Sequence, residues 1–170
     1  LKSGVIGDVK HIRALWHRNN SWPFVADAAP KFPIAKEYPA PKYRDGWYPP
    51  IYQVDHDELK EQSKMFGFKS VEELVRWRLY NETGGGLMAE LGSHQLDAAG
   101  IFISAMHGKG KKVKPLTVTA VGNRSIFPDD REVDDHVYCM YEYPAPDYAE
   151  NPNKKIRPAS AVGAIFPWAR

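Results

Sequence analysis

The stretch 84-GGGLMAELGSHQLD-97 decides how the middle of the chain folds, because three glycines lead into a run rich in apolar residues. Glu90, His94 and Asp97 follow one another in this run at positions i, i+4 and i+7. On an α-helix this spacing places the three side chains on one face. Apolar residues continue through residues 87–106, so we predict a long helix there, weakened by two internal glycines.

Three other segments predict β-strands. Residues 9–18 favour a strand of eight to ten residues, and residues 116–125 and 134–144 alternate apolar and polar side chains. One strand, then helices, then two strands in succession indicate an α+β fold. We expect an open, mainly antiparallel sheet with helices packed on one face.

The region before the glycines predicts two helices and a long loop. Residues 55–68 favour a helix capped by Asp55, and Ser70 begins a second helix in which Glu73 completes a capping box. Residues 20–54 hold most of the prolines and many aromatic residues, which suit neither helix nor strand. We predict an ordered loop packed on its own domain, and a substrate lid or a dimer arm is the functional alternative.

The ends of the chain define the predicted domain boundaries. We predict one domain over residues 1–156 and an atypical tail over residues 157–170, where Pro158 and an Ala/Val/Gly run follow a turn-like NPNKKI. The start at Leu1 has no signal-peptide pattern and is typical of the middle of a domain. We expect a fragment of a longer reading frame whose C-terminus is truncated or frame-shifted.

Composition narrows the class of protein. A chain of 170 residues with 43% hydrophobic residues is the size of one ordinary domain with a core. The net charge of +2 argues against a nucleic-acid-binding or membrane-surface protein that works through a basic face. No apolar run reaches the ~18 residues of a membrane helix. The single cysteine, Cys139, excludes an internal disulfide and a cysteine-rich metal site.

The helix face of Glu90 and His94 carries the chemistry that the sequence indicates. A histidine with an ordinary pKa near ~6.5 suits a general acid/base that acts on an alcohol. A carboxylate one turn away can hold the imidazole in one tautomer. The glycines before the helix allow close approach of a ligand to the backbone. The pair is therefore a candidate active site.

Two other interpretations of the same residues stay open. A Glu–His pair at this spacing also occurs on helix surfaces, where it contributes a few tenths of a kcal/mol. Glu90 and His94 are also two candidate metal ligands, with His17 or Asp97 as a third, although no HExxH or cysteine pattern supports a metal site. His17, Arg18 and Asn19 end the first predicted strand, where functional sites often gather, and are second-rank candidates.

Three blocks of this sequence resemble the C-terminal domain of the Gfo/Idh/MocA family, the glucose–fructose oxidoreductase and inositol dehydrogenase type. The blocks are SGVIGDVKHIRALWHRN, WRLYNETGGGLMAELGSHQLD and DDREVDDHVYCMYEYP. The resemblance spans residues 3–156. Its most specific part is the pattern GG-x-L-x-x-x-x-G-x-H-x-x-D, in which the glycines, His94 and Asp97 are all in step.

The resemblance implies roles for individual residues. His94 matches the catalytic histidine of the family, and Glu90 stands where the family has an aspartate, so the carboxylate is kept on a longer side chain. Asp97 matches the last aspartate of the pattern and implies a structural or substrate-orienting role. The strand end WHRN is similar to a subgroup with many sugar-acting members, which makes His17, Arg18 and Asn19 substrate-binding candidates.

The implied activity is that of an NAD(P)-dependent oxidoreductase. His94 would remove a proton from a sugar or polyol hydroxyl while hydride leaves the same carbon for the nicotinamide. NAD or NADP would be bound mainly by an N-terminal Rossmann domain, because this chain has no G-x-G-x-x-G motif. The family's E-K-P lysine is absent as well, so we expect the fragment alone to be inactive.

Other functions within the resemblance also stay open. One alternative is an NAD-dependent glycosidase of the same family, and another is a non-catalytic domain that dimerises or binds sugar. The expected partners are a small sugar or polyol and further copies of the chain, as a homodimer or homotetramer formed through the sheet. No nucleic acid or membrane partner is expected. The sequence leaves the compartment open, with the cytoplasm favoured over periplasmic export.

Overall fold

The fold is described from a computed structural model, which covers residues 3–19, 33–38, 45–108, 110–127 and 129–165. Side chains at positions 18, 19 and 163–165 are outside that description. The chain divides into two compact units. The sheet unit comprises Leu1–His17, Leu87–Asn123 and Asp134–Gly163, and the helical unit comprises Arg18–Gly86, Arg124–Val133 and Ala164–Arg170.

An open, mixed four-stranded sheet forms the sheet unit. Its strands are β1 (His11–Asn19), β2 (Thr117–Asn123), β3 (His136–Pro144) and β4 (Lys155–Ile165). They lie in the order β1-β4-β3-β2, and the ladders of β2 with β3 and of β3 with β4 are antiparallel. The predicted α+β class with an open sheet is confirmed, and the first three strands lie where the alternation places them.

Helix α4 (Ser93–Met106) packs on one face of this sheet. Its buried positions Gln95, Ala99 and Ile103 recur every four residues, which is the period of a helix with one covered face. Strand β3 turns alternate residues towards the helix, as a pleated strand must. The resulting core contains the following buried residues: Ile103, Cys139, Tyr141, Tyr143, Ala145 and Ile156.

Strand β4 crosses the boundary that the sequence predicts between domain and tail. Residues 157–165 belong to the strand, and Pro158 lies within it. The ladder with β3 pairs Met140 with Ala159 and Tyr143 with Ile156, and no pair is formed at Pro158 between them. Proline has no N–H to donate, so the ladder lacks a hydrogen bond at this position. The register is the same on both sides of it.

The described helices of the helical unit are short except for the first. They are α1 (Gln53–Met65), α2 (Val71–Val75), a 3₁₀ turn (Trp77–Leu79) and α3 (Asn81–Gly84). The predicted loop 20–54 therefore ends at Tyr52. Its described parts are ordered: Ile34 bridges Tyr52, and the N–H of Ala35 donates to the carbonyl of Ile51 at 2.9 Å. Residues 20–32 and 39–44 of this loop lie outside the described part of the chain.

The predicted helix caps have different outcomes. The Asp55 cap is wrong, because α1 begins at Gln53 and Asp55 lies in its first turn, where a carboxylate still favours the helix N-terminus. The Ser70 cap is confirmed, since its hydroxyl accepts from the N–H of Glu73 at 3.1 Å. The N–H of Lys69, one residue before the cap, donates to the carboxylate of Glu73 at 2.5 Å.

Helix α2 ends at Val75, directly before the buried Arg76. The backbone of Arg76 leaves the helical region (φ −105°, ψ 32°), while its side chain is 1% exposed. Its Nε donates to the carbonyl of Pro49 at 3.0 Å, and its Nη1 meets the carboxylate of Glu72 at 2.7 Å. The guanidinium also lies 3.5 Å from the ring centroid of Tyr48. These bonds satisfy a buried charge and stop the helix at this point.

The three glycines 84–86 form the end of α3. Gly85 and Gly86 have φ values of 66° and 76°, in the left-handed region that side chains other than glycine rarely adopt. A Cβ on Gly84 would lie 2.8 Å from the Cα of Arg78 and 2.9 Å from the carbonyl oxygen of Trp77. The chain's own backbone therefore occupies the space that the missing side chain of Gly84 leaves.

Candidate functional site

A π-helical turn brings the chain from the glycines to α4. The turn spans Met88–Gly92 and continues directly into Ser93. Residues 88–106 are therefore one continuous helix, π-helical over its first five residues and α-helical after them. A Cβ on Gly92 would meet the flexible end of the Met88 side chain. π turns inside α-helices are rare and are frequent at functional sites. Glu90 lies in this turn and is half-buried.

His94 is the second residue of α4 and is exposed to solvent. Its imidazole lies against the indole of Trp16 on β1, with ring centroids 5.9 Å apart and planes inclined by 38°. Tilted ring pairs at this separation attract one another. Trp16 itself is 39% exposed. The contact therefore restricts the orientation of the imidazole and leaves it accessible to a ligand.

A hydrogen bond next to His94 connects α4 to the sheet. The hydroxyl of Ser160 on β4 donates to the side-chain oxygen of Gln95 at 2.5 Å, and both residues are buried. Within the described residues, Nε2 of Gln95 is a buried nitrogen without a hydrogen-bond partner. A buried side-chain bond of this kind resists rotation of the helix. Gln95 thus helps to hold the adjacent His94 on the side of Trp16.

Asp97 is exposed and lines a groove of about 690 Å³ beside α4. One wall is α4 itself, with Ser93, Leu96 and Ile101. The segment after α4 forms the other wall and contributes Lys111 and Lys112. The groove has apolar and charged surfaces, a combination that suits a polar molecule with an apolar side.

Tyr143 also lines this groove, from the sheet. Burial raises the pKa of its hydroxyl. The hydroxyl is therefore neutral near pH 7 and able to donate or accept a hydrogen bond. Sequence analysis did not single out this residue, since it predicts Tyr143 only as one of the alternating positions of a strand.

The structure separates His17 from His94. Neighbouring residues of a strand point to opposite faces of a sheet. Trp16 contacts His94, whereas His17 lines a groove of about 530 Å³ on the face away from α4, together with Tyr138 and Met140. The backbone of Arg18 and Asn19 belongs to β1, but their side chains lie outside the described part of the molecule.

Trp16 is the functional candidate that sequence reasoning missed. The histidine, arginine and asparagine after it drew attention because their side chains are polar. Alternation along β1 was the available signal, because it predicts that Trp16 and His17 face different sides. The sequence does not say which side α4 covers, and that decides which of the two residues approaches His94.

Two classes of feature are absent from the described residues. No group of three His, Cys, Asp or Glu side chains there is arranged to hold a metal ion. Among the same residues, no helix has the length and apolar character needed to cross a membrane.

Comparison with known proteins finds no relative. No protein-family model, no curated protein and no solved structure matches the chain. The resemblance to the Gfo/Idh/MocA family therefore depends on the residue patterns alone. The assignment of function has to be argued from the site.

Proposed function

We propose that this chain is the substrate-binding and catalytic half of an NAD(P)-dependent oxidoreductase that acts on a sugar or polyol hydroxyl. The observation that carries the proposal is the exposed imidazole of His94, held against Trp16 at the start of α4. A general base needs this combination of a defined position and access to the substrate. The residue patterns around His94 support the same family of reactions.

His94 is the group that we propose to take the hydroxyl proton. Its second contribution is to return that proton when the reaction runs in reverse. Glu90, half-buried in the preceding π turn, is proposed to favour the productive orientation of the imidazole. Asp97 and the adjacent groove are proposed to hold the remainder of the substrate through hydrogen bonds to its hydroxyl groups. His17, Arg18 and Asn19 stay second-rank candidates for substrate binding.

The glycine turn at residues 84–86 does not fit the pyrophosphate of a dinucleotide. Glycine-rich loops that hold a pyrophosphate keep the space beside their glycines open for the ligand. At Gly84 that space is filled by the backbone of Arg78 and Trp77. We therefore assign NAD or NADP binding to another polypeptide segment and derive no step through the cofactor from this chain.

A non-catalytic domain that binds sugar or dimerises is the second candidate. The filled space beside Gly84 favours it, because this glycine turn offers no room for a pyrophosphate. In that case the groove beside Asp97 would bind the same class of ligand without turnover. The NAD-dependent glycosidase remains a third proposal and would require the same His94. The proposed partners are a small sugar or polyol and further copies of this chain.

In the first experiment the chain is titrated with a panel of sugars and polyols. The imidazole resonances of His94 in NMR spectra are used to monitor binding. Under the proposal, one class of ligand shifts these resonances more than those of His11, which lies on the other face of the sheet. Ligands that bind without moving His94 would exclude it from the site.

The second experiment separates the catalytic proposals from the binding domain. The chain is joined to the dinucleotide-binding segment of its own reading frame and incubated with NAD or NADP and the best ligand. Accumulation of reduced cofactor supports the dehydrogenase. Cleavage of an aryl glycoside that requires NAD, without net reduction, supports the glycosidase, whereas binding without either reaction supports the non-catalytic domain.

A further inference from the structure

The two edges of the sheet differ in how they are protected against pairing with another strand. Edge strand β1 carries charged or ionisable side chains along its length, namely His11, Arg13, His17 and Arg18. Edge strand β2, TVTAVGN, has no charged residue and no proline. All seven of its residues are exposed, including Val118 at 54% and Val121 at 65%. Charges and prolines are the usual protection of an edge, so β2 is unprotected.

The hydrogen bonds at the ends of β2 indicate which residues face outwards. The N–H of Leu116 donates to the carbonyl of Glu142, which is the register partner of Thr117. The N–H of Asp135 donates to the carbonyl of Asn123, whose register partner is the following residue, His136. Each arrangement is that of a bulge, in which two residues face one.

Thr117 and Asn123 therefore exchange hydrogen bonds with β3, and alternation gives the direction of the residues between them. The even-numbered residues Val118, Ala120 and Gly122 turn their N–H and C=O groups away from β3. These groups form a free row of donors and acceptors along the edge, which is what another strand requires for pairing.

We propose that β2 pairs with β2 of a second copy of this chain, antiparallel and across a two-fold axis at Ala120. In this register Ala120 lies opposite its own counterpart, Val118 lies opposite Gly122, and Thr119 lies opposite Val121. Each outward-facing residue then meets an outward-facing residue of the partner. Pairs that involve β-branched side chains also suit adjacent strands. The two sheets become one continuous sheet of eight strands.

Charges at the two ends of β2 favour a second copy over an unrelated peptide. The segment that leads into β2 carries exposed lysines at positions 111, 112 and 114. At the other end, the carboxylate of Asp134 lies against Gly122, and the cation of Arg124 is paired with Asp129 at 3.3 Å. Antiparallel pairing places the basic start of one β2 beside the acidic end of the other, twice in each dimer. The opposite charges of the two copies attract one another over about one Debye length at ordinary salt.

The proposal does not depend on the oxidoreductase activity, and it specifies the contact that an oligomer through the sheet would use. Cysteine cross-linking tests it directly. In the Ala120→Cys variant the two cysteines lie opposite one another, with Cα atoms about 5.5 Å apart, which a disulfide can span. In the matched Thr117→Cys variant they lie six positions apart along the strands, about 20 Å. Both variants also carry Cys139→Ala, because Ala120 is the register partner of Cys139 on β3 and cysteines at both positions would pair within one chain; the chain with Cys139→Ala alone gives the background.

Under mild oxidation we expect a disulfide-linked dimer from Ala120→Cys and only background from Thr117→Cys and the chain with Cys139→Ala alone. Equal cross-linking of both variants would show non-specific association and would overturn the proposal. Absence of cross-linking from Ala120→Cys at a concentration where sedimentation shows a dimer would move the interface elsewhere. A wild-type chain that stays monomeric at all concentrations would overturn it as well.

Charge variants at the same residue provide an independent test. Ala120→Lys and Ala120→Glu each place two like charges opposite one another and should each be monomeric in sedimentation experiments. An equimolar mixture of the two should recover the dimer. Leu15→Lys, at an exposed residue of β1, adds the same charge at the other edge of the sheet and should leave the wild-type dimer intact. A mixture that remains monomeric would contradict the two-fold axis at Ala120.

Discussion

Asp45 and Arg131 form a buried ion pair with a separation of 2.6 Å, although they are 86 positions apart in the sequence. Their side chains are 8% and 3% exposed. Asp45 also accepts the N–H of Trp47 at 2.9 Å, and Arg131 meets Asp130 at 2.7 Å. The pair joins two distant segments within the helical unit, so the fold of this unit depends on a contact that local sequence does not encode.

Removal of one partner should destabilise the helical unit strongly. Asp45→Ala leaves the buried Arg131 guanidinium with Asp130 as its remaining carboxylate partner among the described residues, and we expect a loss of about 3 kcal/mol in the free energy of unfolding. The measurement is urea denaturation. The double variant Asp45→Ala/Arg131→Met should lose less than the sum of the two single variants, because it leaves no buried charge unpaired. Strict additivity would contradict a direct interaction.

Trp16→Leu should change the surroundings of His94 without unfolding the chain. The leucine removes the ring current of the indole, so the imidazole resonances of His94 should shift in NMR spectra, whereas those of His107, bonded to the carbonyl of Pro144, should not. Leu15→Ala, one position earlier and on the opposite face, is the matched control. Unchanged His94 resonances in Trp16→Leu would exclude the ring contact in solution.

Glu142 should make the stability of the sheet depend on pH in the acid range. Hydrogen bonds from Lys155, Arg157 and Thr117 lower the pKa of its carboxyl group from 4.5 to about 2. Because the folded pKa is the lower one, this stabilisation is present above about pH 4.5 and is lost as the pH falls towards 2.

The check is the free energy of unfolding between pH 2 and pH 6 for the wild type and for Glu142→Gln. The difference between the two proteins should be largest above pH 4.5 and should shrink as the carboxyl group is protonated. Glu61→Gln is a suitable control, since Glu61 is an exposed helix residue with a distant ion pair to Lys64 at 3.6 Å. A difference that is independent of pH would contradict the assigned cause.

Under the proposed function, and with a dinucleotide-binding domain supplied, His94→Ala should lower kcat by roughly 10²–10⁴-fold, the usual contribution of a general acid/base. Cofactor affinity should hardly change, because no residue near His94 is assigned to the cofactor. His11→Ala, at an exposed position of β1, is the control. Full turnover by His94→Ala would show that another group takes the proton.

The sheet and its covering helix were predictable because their signals are local. Alternation in β3 and the four-residue recurrence of buried positions in α4 follow from one face of each element being covered. The ends of the elements were less predictable. Asp55 has the chemistry of a cap, but Tyr52 occupies that position because the strand-like bridge to Ile34 brings the chain there. Tertiary contacts override local preference in such places.

The helical placement of the candidate residues was predictable, and the contacts around them were not. Spacing identified Glu90, His94 and Asp97, since one helical segment contains all three. The contact of Trp16 with His94 joins residues from two distant elements, which a single sequence cannot show. The π turn was also invisible, because apolar residues at intervals of three and four suit both helical geometries over so short a stretch.

The π turn at Met88–Gly92 can be regarded as a helix that holds one residue more than its length requires. Deletion of Ala89 would allow the same stretch to close as a regular α-helix. Each residue of an α-helix turns the chain by about 100°. A residue of the wider π turn turns the chain by less than that, so Glu90, which lies between Ala89 and His94, would point in a different direction relative to the imidazole. The number of residues in this one turn therefore sets the rotational phase between the carboxylate and the imidazole, independently of the chemical identity of either.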